Sequence, residues 1–144
     1  MYVPQFATAA IQTNHICPLR LGETAYVMSR FRLNEFIENV QKFQITELSL
    51  PPPVVMSVLQ SPLATRDVFQ SVRFAHSGAA PLGKDSQAKL QALLPDDCPL
   101  AQIWGMTETS GAAMTFLYPQ QDSTGSVGHL VPNMKTKCDP TLGY

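Results

Sequence analysis

Apolar positions along this chain change period several times, and each change marks an element. Leu33, Phe36, Ile37, Val40 and Phe43 follow helical spacing, with Glu38 four residues before Lys42, so an amphipathic helix is predicted from Leu33. Residues 5–16 are apolar and small and predict a buried helix, after which Leu21-Gly22-Glu23 turns the chain. Thr24-Ala25-Tyr26-Val27-Met28 is short and rich in strand formers, as a buried strand should be. Ile45 to Leu50 predicts a second strand that stops at Pro51-Pro52-Pro53. The third proline suits the first position of a short helix over Val54–Gln60.

Pro62 to Gln70 is expected to be a connection, and Val72 to His76 a strand ending in the turn Ser77-Gly78-Ala79-Ala80-Pro81-Leu82-Gly83. Lys84 to Leu94 predicts a second amphipathic helix, closed by Pro95-Asp96-Asp97. Leu100–Trp104 and Met114–Tyr118 predict two more strands. Strand and helix alternate, without internal repeat or low-complexity tract. The expected fold class is therefore α/β, a mainly parallel sheet flanked by helices.

Ligands of open α/β sheets bind outside the carboxyl ends of the strands. Two candidate motifs fall there: the Gly78 turn and Trp104-Gly105-Met106-Thr107-Glu108-Thr109. The latter suits a nucleotide and its metal. An aromatic ring can stack on a base, and a glycine lets backbone approach a phosphate. The Thr107 hydroxyl can donate to a phosphate oxygen, and Glu108 can face Mg²⁺, which prefers oxygen ligands.

Composition narrows the classes. The 144 residues make one ordinary domain, 44% hydrophobic. Only 15% of residues are charged, so part of the surface is expected to be covered by more protein. A net charge of -1 gives no electrostatic case for nucleic acid or an anionic membrane. Cys17, Cys98 and Cys138 form neither a metal spacing nor a disulfide framework, and as small core residues they suit a reducing, cytoplasmic setting. Met1-Tyr2-Val3-Pro4 lacks the basic start of a secretory signal, no apolar run has the length of a membrane span, and Thr141-Leu142-Gly143-Tyr144 is no peroxisomal address.

Four stretches carry a resemblance: Pro18-Leu19-Arg20-Leu21-Gly22, Ser77 to Leu82, Trp104 to Glu108, and Thr124-Gly125-Ser126-Val127-Gly128 followed by Pro132-Asn133. In this order and spacing they resemble the adenylate-forming (AMP-binding) superfamily, the acyl- and aryl-CoA ligases. Within it they look most like fungal proteins similar to 4-coumarate–CoA ligase. The similarity covers nearly the whole chain but only the middle of the family's large N-terminal domain. It implies a two-step reaction: a carboxylic acid attacks the α-phosphate of ATP to give an acyl-adenylate, and the thiol of coenzyme A then displaces AMP. It implies that Gly78, Ala79, Ala80 and Pro81 border the adenine, with Trp104, Gly105, Met106 and Thr107 completing the nucleotide site. Trp104 stands where the family usually has tyrosine. Thr107 would meet the phosphate and Glu108 would hold Mg²⁺, these two being the catalytic candidates. His76, Ile103 and Met114 fall near positions that line the acyl pocket, and Ile103, where many members carry glycine, would shorten it.

The departures bear on activity. The family's phosphate loop with its lysine, the downstream ribose-binding Asp and the C-terminal lid domain with its lysine have no counterpart in these 144 residues, and Ala7 stands where the family usually has histidine. One electrostatic contact of this kind is worth about 3–4 kcal/mol, so the chain alone is expected to be near background. The reading is a partial AMP-binding domain over residues 1–144, probed against two alternatives: a catalytically inactive module docking on a longer ligase, and a chain too incomplete to fold. Plainer roles compete at single residues. His76 also reads as a structural strand-end histidine, His15 and His129 as surface or structural residues, Met106 and Met114 as packing residues, and Asp96-Asp97 as a helix-ending turn.

Overall fold

The computed structural model describes residues 15–137. The predicted helix over 5–16 lies almost wholly outside them, as do Ala7 and Cys138. The chain first forms a one-turn helix, α1 (Cys17–Leu21), closed by Gly22 at φ 72°, the left-handed conformation that glycine adopts without cost. Thr24–Met28 is not a strand. Strand formers become strand only where a neighbouring backbone supplies a ladder, and this segment is held by side chains instead. Tyr26 stacks on Phe43 with ring centroids 4.6 Å apart, and Met28 packs on the core.

α2 (Leu33–Lys42) forms as its period predicts and buries Phe36, Ile37 and Val40. β1 (Glu47–Ser49) follows. α3 (Pro52–Gln60) opens at the second proline of the triplet rather than the third, because Pro51 takes an extended conformation and its carbonyl already accepts from Val54 and Val55. The predicted connection after it contains a 3₁₀ turn, Arg66–Phe69, that drives Phe69 into the core. β2 (Phe74–Gly78), α4 (Lys84–Leu93) and β3 (Leu100–Met106) come next. Beyond β3, a 3₁₀ turn (Thr107–Thr109) and Ser110 at φ 57° reverse the chain into β4 (Gly111–Thr115), and β5 (His129–Leu130) closes the sheet. The last predicted strand thus begins at Gly111 rather than Met114 and ends before Tyr118.

The sheet order is β1-β2-β3-β4-β5. β1, β2 and β3 are parallel, joined through α3 and α4; β4 and β5 are antiparallel additions. For β4 the reason is length: four residues between β3 and β4 suffice for a reversal but not for a parallel crossover. Leu48, Ala75 and Leu100, alternate residues of the parallel strands, share one core with α2, α3 and α4. His76, Ala101 and Ile103 alternate with them and point to the opposite face. Cys98 is buried within the core cluster, and burial pushes its thiol up to about 11, so it packs as a small hydrophobe; Cys17 is partly buried.

Candidate functional site

Gly78 and Ile103 are paired in the parallel β2–β3 ladder, so the two motifs leave the sheet side by side at its carboxyl edge. The pairing is close: a Cβ on Gly78 would stand 2.9 Å from the Ile103 carbonyl oxygen. Ala79 follows at φ 74° and turns the chain back over the helix-bearing face toward α4. Ala79, Ala80 and Pro81 are exposed, whereas Leu82 is buried. A left-handed L-residue costs about 1–2 kcal/mol, of which the entropy of a glycine offsets about 0.5–1. Ala79→Gly is therefore expected to raise stability by about 0.5–1 kcal/mol, read as a higher urea midpoint.

Trp104 lies on the same face as this turn, two residues beyond Gln102, and 44% of it is exposed, leaving a ring face for a ligand. Gly105 admits a close neighbour, and in this structure that neighbour is β4. Thr107, Glu108 and Thr109 form the 3₁₀ turn. The Thr109 hydroxyl accepts from the Met106 N–H at 3.0 Å and lies 2.9 and 2.8 Å from the Met106 and Gly111 carbonyls, either of which can take its proton. That clamp holds the Glu108 carboxylate out in solvent at the strand end.

The three acyl-pocket candidates divide. His76 and Ile103 share the face away from the helices, while Met114 is paired with Trp104 and lies on the other. His76 is only 8% exposed; its Nδ1 has no hydrogen-bond partner and stands 4.0 Å from Glu47 Oε1. Burial pushes the imidazole down to about 4, so it is neutral, and burial, with Glu23 adding to it, raises the Glu47 carboxyl. A cavity of about 320 Å³, lined by Glu23, Tyr26, Phe43 and Glu47 among others, lies at the β1 edge and includes none of the predicted site residues.

The fourth motif packs against the same corner. Burial is the largest single influence on the Asp122 carboxyl and raises it, but the donors from Thr124, Gly125 and Ser126 together outweigh this and hold it below the usual range. Sequence reasoning passed over Gln87 and Gln102, which connect this loop to the Gly78 turn; the signal available was one amide inside the apolar strand Leu100–Ile103. Among the described residues no group of three or more His, Cys, Asp or Glu could hold a metal, and no helix is long and apolar enough to cross a membrane.

Comparisons with known proteins bear on the family and the fold. The AMP-binding enzyme family matches residues 1–142. An acyl-CoA synthetase of Alternaria alternata is 42% identical over 135 residues, which are 94% of this chain and 23% of that protein. A phenylacetyl-CoA ligase of Aspergillus niger is 41% identical over 143 residues, 98% of this chain and 26% of the relative. Among solved structures, ATP-bound MatB from Rhodopseudomonas palustris superposes with a TM-score of 0.76 at 23% identity, over 91% of this chain and 25% of that one; this likeness concerns the fold. The chain spans about a quarter of the length of these relatives. With the family match running over nearly all of its residues, the chain belongs to the AMP-binding enzymes, in the branch of the acyl- and aryl-CoA ligases.

Proposed function

We propose that residues 1–144 supply part of the AMP-binding domain of a cytoplasmic acid–thiol ligase. The reaction activates a carboxylic acid with ATP as an acyl-adenylate, releases pyrophosphate, and passes the acyl group to the thiol of coenzyme A. The observation that carries this is the pairing of Gly78 with Ile103, which sets the Ala79–Pro81 turn beside Trp104. In this reading the adenine stacks on Trp104 and is bordered by Gly78, Ala79, Ala80 and Pro81, with Gly105 and Met106 forming the adjoining backbone. Thr107 donates to a phosphate oxygen. His76 and Ile103 face the acid's carbon chain; Met114, beside Trp104, is the member of that set nearest the nucleotide.

Mg²⁺ is usually held by one or two carboxylates plus phosphates and water, so a single exposed Glu108 fits it. Bound there, it would neutralise phosphate charge. Lysines from polypeptide outside these residues would supply the remaining charge neutralisation, which does most of the work in such transfers.

The test is calorimetry on the 144-residue chain with AMP and with ATP·Mg²⁺. Aromatic–base stacking is worth about 1–3 kcal/mol, so Trp104→Ala is expected to weaken both ligands at least about fivefold. Glu108→Ala is expected to weaken ATP·Mg²⁺ and leave metal-free AMP within twofold. Equal loss of both would remove Glu108 from the metal. A second reading, a module that binds nucleotide while docked on a longer ligase, draws on Leu117 and Tyr118, 62% and 67% exposed beside the His76 face. Co-elution with a purified full-length relative would support it, and separate elution would end it.

A further inference from the structure

β3 carries one amide through the interior. Gln102 is 3% exposed, and an unpaired amide at that depth would cost several kcal/mol. It is instead fully engaged. Its Nε2 donates to the Leu82 carbonyl at 3.0 Å and to Gln87 Oε1 at 2.9 Å, while its Oε1 accepts the Leu82 N–H at 3.0 Å. Leu82 is thus gripped through both of its backbone polar groups, in the manner of a strand neighbour, by a side chain rather than a strand. Gln87, 4% exposed on α4, passes the connection on by donating to the Asp122 carbonyl at 2.7 Å.

This chain of bonds runs between the three segments that surround the proposed adenine position. Leu82 ends the exposed turn Ala79–Pro81; Asp122 anchors the Thr124–Gly128 loop; Gln102 is two residues before Trp104 on the same face. Leu82 is where the turn is tied down, since Ala79 is left-handed and Pro81 has no N–H to give. The separation between the turn and the indole ring therefore depends on the length and both polar ends of one glutamine side chain.

Building on the nucleotide reading above, we infer that Gln102 is a positioning residue: acting through Leu82, it sets the width of the slot between the Ala79–Pro81 turn and Trp104, and thereby the affinity for an adenine ring. Gln87 is its support.

Trp104 is the chain's single tryptophan, so its emission reports the slot directly. The experiment compares the wild-type chain with Gln102→Met, which keeps length and removes every bond, and with Val58→Ala, a cavity in the buried face of α3 away from the slot. The readouts are AMP affinity by calorimetry, acrylamide quenching of Trp104, and hydrogen exchange of the Leu82 amide. Gln102→Met should weaken AMP at least tenfold, change quenching about twofold and speed Leu82 exchange at least tenfold. Val58→Ala should lower the melting temperature and leave all three within twofold.

AMP affinity retained by Gln102→Met, or lost equally by Val58→Ala, overturns the positioning role. Should the wild-type chain not bind millimolar AMP, the nucleotide reading fails by itself. The positioning claim is then decided by Trp104 and Leu82: moved together, they support it; unmoved, they overturn it. If Gln102→Met does not fold, Gln87→Met replaces it. It cuts the Gln87 bonds and spares the Leu82 pair, so an intermediate loss of about threefold supports the relay and none overturns it.

Discussion

Replacing Gly105 by alanine is expected to cost more than about 3 kcal/mol and to detach β4 from β3. A Cβ at this position would stand 1.9 Å from the Gly111 carbonyl oxygen, 2.7 Å from its carbon and 2.9 Å from the Ala112 Cα. All three are backbone atoms, so no side-chain rotation relieves the contact. The ladder also shifts register between Trp104 and Gly105, which brings the β4 chain across the missing side chain. Overpacking in a core that can adjust costs about 1–3 kcal/mol, and here the strand itself must move.

The damage would spread along the chain. Thr109 is tied to both Met106 and Gly111, so separating the strands loosens the 3₁₀ turn that carries Thr107 and Glu108. Urea unfolding measures the loss. Gly83→Ala is the control, because nothing lies within 4 Å of a Cβ there and the backbone at φ -63° is open to any residue; it should be neutral or slightly stabilising. A Gly105→Ala chain within about 1 kcal/mol of wild type would show that β4 does not approach as closely as described.

Gly105 also illustrates what the sequence could convey. Its presence beside Trp104 pointed to a close backbone approach, but a glycine does not say what approaches. The structure supplies a neighbouring strand. Elements governed by local periodicity were legible: α2, α4 and the parallel strands appear within two or three residues of expectation. Those that depend on a partner were not. Thr24–Met28 has the composition of a strand yet lacks a ladder, and β4 reverses direction because a four-residue turn permits nothing else. The candidate site was legible as two motifs at strand ends, since Gly78 and Trp104 carry their candidate chemistry in their residue types. Gln102 was hidden, because a glutamine in an apolar strand announces that it needs partners and not that they are Leu82 and Gln87. The face of Met114 was equally hidden, since it follows from a register that one bulge can change.

Stability should fall by roughly 3 kcal/mol between pH 7 and pH 4 on account of His76 alone. The unfolded imidazole titrates near 6.5, and burial pushes the folded one down to about 4. Between these values the unfolded chain binds a proton that the folded chain refuses, so stability declines as the pH drops through 6.5 and the loss is complete near 4. A gap of that size, at about 1.4 kcal/mol per unit, gives the figure. Two carboxyls shape the same range. Glu47, facing His76 at 4.0 Å, has its pKa raised in the folded state; its contribution therefore grows as the pH falls and partly offsets the decline. Asp122, held low, adds a loss only below the ordinary aspartate range near 3.8. His76→Gln isolates the imidazole: urea midpoints taken from pH 7.5 to 4.5 should show the wild type losing about 2–3 kcal/mol more than the variant. Parallel curves would mean that the imidazole accepts its proton in place, with Glu47 as partner. The distinction reaches the proposed acid site, because a neutral His76 meets a substrate through a hydrogen bond, whereas a charged one would meet it through its charge.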